Sequence, residues 1–525
     1  MDSRVKDLAG HVPGAAAIIN ALRPQRPRTR YKLEKLAERL PASVEEARPY
    51  AAAATRRSRL LLFATLHYWI EQAAIVGLVL RAMGHEVTIA YLPFSNWDKE
   101  INRLDLQRQD MYTRRVLAPL EGMLQVQPLL DFPSPKELPK SLEAAIQRAS
   151  EYDVMYSLQT EDVDRDSPLF RLRMRRNSVA CRAALAYLGK NPVDAVLIPN
   201  GLVTELGAFY QASRHIGLPT VTYEFNDQRE QIWLAHNEVV MQQNTDALWQ
   251  ARGAVPLTEA QLNKIREFEE AREGARTYAK GTRRWQDAPS EGSAALRTRL
   301  GLDGRPIVLL ATNVLGDSLT LGRNVFAASM AEWIKRTVAY FAGRSDVQLV
   351  IRIHPGERLI KGPSILGVIE AAAPTRPDHI HVIGPAEKIN TYDVMALAQL
   401  GLAYTTTVGL EMAMRGIPVI AAGKTHYRNR GFAMAPESWD EYFGMLDGVL
   451  RDPAAHALTT NQRDAAWNYG YRFFFEYPYD FPWRLMHFWK DVAEWPVGRV
   501  LSDEGRAAFG KTFEHLSGER IEWTV

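Results

Sequence analysis

Short apolar runs alternate with longer stretches of helical spacing along most of the chain, which predicts an α/β fold. Leu60–Thr65 is continuously apolar and reads as a buried strand. Ile70–Met83 has helical spacing, Gly84 ends it, and His85–Tyr91 reads as the next strand. That order is a βαβ unit with a right-handed crossover. Residues 96–190 are mostly helical and polar, broken by the Pro-rich Asp131–Pro139. Strands at Asp194–Ile198 and Thr220–Tyr223 flank a helix that runs through Ile216, so the parallel sheet continues. After a charged helical stretch, apolar runs return at Ile307–Ala311, Gln348–Ile353, Ile380–Ile383, Gly401–Tyr404 and Pro418–Ala421. They predict a second sheet, followed by a Ser438-capped helix at Trp439–Leu450.

At 525 residues the chain exceeds one ordinary core. The pattern divides it into a basic arm over 1–58 (Arg23, Arg26, Arg28, Arg30, Lys32, Lys35) and a Rossmann-like domain over 59–245. A helical connection over 246–300 leads to a second Rossmann-like domain over 301–458. Residues 459–525 carry dense aromatics between Trp467 and Trp489, which suits packing back onto the first domain. The 46% hydrophobic and 24% charged content is that of a globular protein, and a net charge of +3 is too small for a nucleic-acid binder. The single cysteine, Cys181, excludes an internal disulfide and a cysteine-based zinc site, and fits a reducing cytoplasm. No apolar run is long enough to cross a membrane, and Ala15–Leu22 does not read as a signal peptide. The expected location is the cytoplasm; the basic arm makes the inner face of the cytoplasmic membrane the alternative.

Candidate chemistry concentrates in residues 401–431. Thr405, Thr406 and Thr407 form a turn between a strand and the helix Val408–Arg415, offering hydroxyls and unpaired N–H groups to an anion. Gly409 would let that anion approach the backbone. Glu411 misses the register of a capping box by one residue, which leaves it for another partner such as sugar hydroxyls. Upstream, Arg352 and His354 share one face of a strand end, followed by Pro355 and Gly356, an arrangement suited to an anionic ligand.

Thr-Thr-Thr-Val-Gly-Leu-Glu, the following Gly-Ile-Pro-Val-Ile and Gly-Lys-Thr-His-Tyr-Arg, and Arg352-Ile-His-Pro-Gly-Glu357 together resemble the bacterial capsule polysaccharide biosynthesis family. That family includes the β-Kdo transferases that use CMP-Kdo. The resemblance covers residues 300–450 and is weak elsewhere. It implies a GT-B fold: two Rossmann-like domains, a cleft between them, and C-terminal helices crossing back. It also implies a nucleotide-sugar donor on the C-terminal domain and a glycan or glycolipid acceptor on the other. On this reading Arg352, His354, Pro355, Thr405–Thr407, Gly409, Lys424 and Tyr427 form the phosphate site, with Glu411 on the ribose. The loop Gly384–Asn390 would border the base. A diphosphate would want further cations, for which Arg428 and Arg430 are available.

His67 lies just past the first strand, at the carboxyl edge where open α/β sheets bind ligands, and an imidazole there suits deprotonation of an acceptor. Asn200, Glu205 and Glu224 lie near other strand ends and are candidates for acceptor binding or acid–base work. Asp162-Val-Asp-Arg-Asp166 lacks the flanks of a metal loop and reads as solvated, so neither metal nor other cofactor is expected; the nucleotide sugar is a co-substrate. The expected function is glycosyl transfer, CMP-Kdo-like donors favoured, in capsule or other surface polysaccharide synthesis. A UDP-sugar transferase, a sugar-nucleotide epimerase, a polyol-phosphate transferase and a non-catalytic member of an assembly complex are the alternatives. Stereochemistry stays open, because β-Kdo transferases retain configuration whereas a His67 base suits inversion.

Overall fold

Two sheets that share one parallel order over five strands organise the chain. The computed structural model describes residues 3–22, 32–130, 132, 134–226, 228–279 and 288–523. Arg23, Arg26, Arg28 and Arg30 of the expected basic arm lie outside the described residues, as do Asp131 and Pro133 of the Pro-rich break. The first sheet contains β1 (Arg59–Thr65), β2 (Glu86–Leu92), β3 (Gln125–Pro128), β4 (Ala195–Pro199), β5 (Thr220–Phe225) and β6 (Gln231–His236), in the order β6-β5-β4-β1-β2-β3. All pairings are parallel except that of β6, which runs antiparallel to β5. The second sheet contains β7 (Ile307–Ala311), β8 (Gln348–Arg352), β9 (Ile380–Ile383), β10 (Leu400–Ala403) and β11 (Val419–Ala421), in the parallel order β11-β10-β7-β8-β9. In each sheet the order reverses beside the first strand, between β1 and β4 and between β7 and β10. Such a switch point is where loops part to leave a ligand crevice.

Every residue of β7 and β8 is buried, as a parallel strand covered on both faces by helices requires. The helix Glu34–Ala53, within the stretch read as a basic arm, is part of the first domain, since Leu36, Leu40, Val44 and Ala47 enter its core. Leu248, Ile265, Phe268 and Leu296, from the stretch expected to be a connection, join the second domain's core. The helix Thr460–Tyr471 packs Ala466 and Tyr469 into that same core. The chain then crosses back. β12 (Tyr479–Asp480) pairs antiparallel with β6, and Phe481, Trp483, Phe488 and Phe513 fill the first core. Two Rossmann-like domains joined by C-terminal helices that cross between them make a GT-B-type fold.

The two domains meet along a seam at the carboxyl edge of the second sheet. The loop after β7 lies against the end of the helix Lys140–Leu158. Gly316 there has φ +67, and a Cβ built on it would sit 2.3 Å from the Met155 carbonyl oxygen. Glu161 of the first domain accepts hydrogen bonds from Met330 N–H (3.0 Å) and Ala331 N–H (2.7 Å), so it caps the second domain's helix Met330–Ala342. No described helix is long and apolar enough to cross a membrane.

Candidate active site

On the second domain the switch point brings the two motifs together. The neighbouring strands β7 and β10 end side by side, so Thr312, Asn313 and Thr405 emerge next to one another. Thr312 Oγ1 accepts the His354 N–H at 3.0 Å, and Asn313 Oδ1 accepts the Thr405 N–H at 3.2 Å. Sequence reasoning singled out neither residue for this role. A polar pair at the end of the strand preceding both motifs was the available signal.

His354 Nδ1 accepts the Gly356 N–H at 3.0 Å, which places the proton of the neutral ring on Nε2. Burial, with the Arg352 guanidinium beside it, pushes the imidazole down to about 4, so at neutral pH the ring is an uncharged donor. Arg352 is buried and donates to the Gly384 carbonyl at 2.7 Å, fixing the loop after β9. Pro355 opens the short turn Pro355–Leu359. Thr405 Oγ1 is buried without a hydrogen-bond partner among the described residues. Thr406 Oγ1 accepts the Val408 N–H at 3.4 Å, and Thr407 is half-buried with no side-chain cap. The turn therefore presents hydroxyls beside the first N–H groups of the helix Val408–Met414.

Three expectations change here. A Cβ on Gly409 would lie 2.0 Å from the Tyr427 hydroxyl, so the glycine admits Tyr427 rather than an anion. Tyr427 itself is fully buried and donates to the Thr406 carbonyl at 2.9 Å. It props the threonine turn from behind and does not face a ligand. Glu411 is not left over: it is 1% exposed and paired with Arg272 at 2.5 Å. Arg272 also donates to the Tyr392 hydroxyl at 3.2 Å, and Arg415 joins Glu269 (3.2 Å) and Glu273 (3.1 Å) in the same cluster. Of the expected cations, Lys424 is exposed, whereas Arg428 pairs with Glu437 and Arg430 with Asp246.

On the first domain, Leu66 has φ +62, a left-handed turn unusual for a branched residue, which starts the helix Leu66–Ala82 directly from β1. His67 follows it, half-buried. Burial and the nearby Lys32 charge push its imidazole down to about 4. Glu224, one residue before the end of β5, is half-buried and accepts from Asn200 Nδ2 (2.8 Å) and Phe225 N–H (2.9 Å), and burial raises its pKa. Asn200, at φ +58, also accepts the N–H groups of Leu202 (3.0 Å) and Val203 (3.2 Å), so the structure places it and Glu224 as one unit. Glu205 goes elsewhere. It is fully buried, paired with Arg173 at 3.0 Å, and accepts from Thr65 Oγ1 at 3.3 Å. Arg173 also holds Asp153 at 3.0 Å, and Asp153 takes the Thr204 N–H at the start of the helix Thr204–His215. This cluster anchors a helix at the sheet edge, which gives Glu205 a structural partner in place of an acceptor. Asp162, Asp164 and Asp166 are exposed, and among the described residues no group of His, Cys, Asp or Glu gathers as metal ligands would.

No protein-family model matches the sequence, and no curated protein does either. Among solved structures, the chain is similar to the β-Kdo 2,4 transferase of Thermosulfurimonas dismutans KpsC at 15% identity and a TM-score of 0.34, covering 53% of this chain and 81% of that one. It is also similar to the β-Kdo 2,7 transferase of the same KpsC (12%, TM-score 0.31, 55% and 79%). A third is the Neisseria meningitidis UDP-GlcNAc 2-epimerase bound to UDP-GlcNAc (12%, TM-score 0.24, 80% and 99%). The GT-B-type architecture rests on the strand order and crossing helices of the chain itself.

Proposed function

We propose that the protein is a glycosyltransferase that holds a nucleotide-sugar donor at the carboxyl edge of the second sheet and an acceptor at that of the first. One observation carries this reading: Thr312 and Asn313 tie the His-Pro segment and the threonine turn into one site at the switch point, facing the seam. The neutral His354 Nε2–H and the Thr405–Thr407 hydroxyls would stabilise the departing phosphate as its charge develops. The resemblance over residues 300–450 supports a CMP-linked acid sugar as donor and surface polysaccharide as product. With Arg428 and Arg430 held by carboxylates, Lys424 is left as the exposed cation, which suits one phosphate better than two.

Two groups can take the acceptor proton. A base works best with a pKa near the working pH. Burial moves Glu224 up toward that range and His67 down away from it, which favours Glu224 as base and His67 as an acceptor contact. Neither role calls on a metal.

Thermal shifts with matched CMP, CDP, UMP, UDP and GDP test the reading. A ligand that binds only the folded state adds about 2.7 kcal/mol at one hundred times its Kd. CMP or CDP should give the largest shift. A clear preference for UDP would refute the Kdo-type donor, and no shift with any nucleotide would refute the transferase itself.

A further inference from the structure

Arg323 lies in the loop that leaves β7 through Thr312 and Asn313 and ends at the helix Met330–Ala342. Its backbone carbonyl accepts the Lys424 N–H at 2.8 Å, and its Nη1 donates to the Lys424 carbonyl at 2.5 Å. The backbone of Lys424 is therefore held at both its N–H and its carbonyl by one residue. The neighbouring Gly423 N–H donates to the Tyr404 carbonyl at 3.1 Å, so Lys424 leaves the sheet beside Thr405. The second terminal nitrogen of Arg323, Nη2, donates to the carbonyl of Met241 in the first domain. Met241 sits in the short turn Val240–Gln242, which Thr222 of β5 fixes by accepting the Val240 N–H at 2.8 Å. Leu321, two residues before Arg323, packs with Met241, Leu202 and Val203.

An arginine is a costly choice at this place. It is 2% exposed, its Nε has no partner, and among the described residues no carboxylate pairs with it. The ionisable groups around it are the phenols of Tyr404, Tyr469 and Tyr477 and the imidazole of His426, none of which carries a negative charge at neutral pH. A buried cation without a counter-ion is expensive, and an arginine does not escape by losing its proton near pH 7. If the two carbonyls only needed donors, a neutral side chain would supply them at lower cost. A guanidinium does something else: it donates from two nitrogens held in one rigid plane, which a lysine cannot do. Here that plane spans the two domains, with Met241 on one side and Lys424 on the other.

We propose that Arg323 is a positioning residue: it clasps the Val240–Gln242 turn of the first domain to the loop after β7 and thereby fixes Lys424 against the donor phosphate. The inference rests on the glycosyltransferase reading and adds how that site is assembled, with Lys424 in place while the two domains are docked. A residue that acts through another is tested by a double-mutant cycle. In calorimetry of CMP binding to the full chain, Arg323→Met and Lys424→Gln should each weaken affinity by about tenfold, the lower end for a hydrogen bond to a charged group. The double variant should also be weaker by only about tenfold, because losing the anchor costs nothing once the anchored charge is gone. Arg323→Lys keeps the charge without the fork and should behave as Arg323→Met. Hydrogen exchange on the free protein gives a readout that needs no nucleotide. Arg323→Met should raise exchange in peptides covering residues 240–242 and 423–425 and leave β1 and β4 unchanged. Losses that multiply to about a hundredfold in the double variant would overturn the proposal. So would wild-type CMP affinity in Arg323→Met or Arg323→Lys, or unchanged exchange in both segments. A wild-type protein that binds none of the five nucleotides would instead remove the transferase reading; raised exchange in both segments would then leave the clasp standing, and unchanged exchange would remove it too.

Discussion

Replacing Arg173 by Met tests whether Glu205 serves structure rather than chemistry. Arg173 is 1% exposed and lies 3.0 Å from both Asp153 and Glu205, themselves buried. The substitution keeps the length of the side chain and removes its charge, so two carboxylates face one another without a cation. Removing one partner of a buried pair costs about 3–5 kcal/mol. At about 2–4 °C per kcal/mol for a unit of 150–250 residues, the first domain should melt about 6–20 °C lower. The penalty should depend on pH. Burial already raises the Asp153 carboxyl, and removing the Arg173 charge that offsets burial raises it further, so the folded state binds protons more readily. Stability then falls as pH rises above the unfolded carboxylate range of about 4. Urea titrations at pH 5 and pH 8 should show the larger loss at pH 8. Adding Asp153→Asn and Glu205→Gln to Arg173→Met should recover most of it, because an uncharged cluster has nothing left uncompensated. A cost below about 1 kcal/mol at pH 8, or one that grows on acidification, would refute the reasoning.

His354→Ala should weaken nucleotide binding by about ten- to a hundredfold, the worth of a hydrogen bond to a charged group; unchanged affinity would move the donor site elsewhere. Glu224→Gln should lower kcat by about 10²–10⁴-fold with donor affinity intact, and His67→Ala should act mainly on acceptor KM. The opposite pattern would make His67 the base. Its imidazole, pushed down to about 4, accepts protons only well below neutral pH, so no acid limb near pH 6.5 is expected in the rate profile of the wild type. Activity should survive excess EDTA, and a loss restored by Mg²⁺ or Mn²⁺ would bring back a metal site.

Local pattern determined much of this protein. β7 and β9 occupy the apolar runs expected of them, and Ser438 caps its helix by accepting the Glu441 N–H at 3.2 Å. Such features depend on alternation, turn residues and caps within a few positions, which a sequence displays directly. The threonine turn and the His-Pro segment were legible for the same reason. What joins them was not, because Asn313 lies 92 positions from Thr405 and only the parallel pairing of β7 with β10 brings them together. Glu411 looked uncommitted because its partner Arg272 stands 139 positions away on a helix that reads as a linker. Backbone freedom points Gly409, and the family resemblance Tyr427, toward the ligand; packing assigns them to each other, since the ring needs the volume a side chain would fill. Glu205 at a sheet edge fits catalysis by position, but burial demands a counter-charge, and Arg173 supplies one. Residue type and spacing thus determined which elements form and where reactive groups cluster. Tertiary structure alone decided which of those groups are neutralised internally and which still face the seam, because desolvation and long-range pairing exist only once the chain has folded.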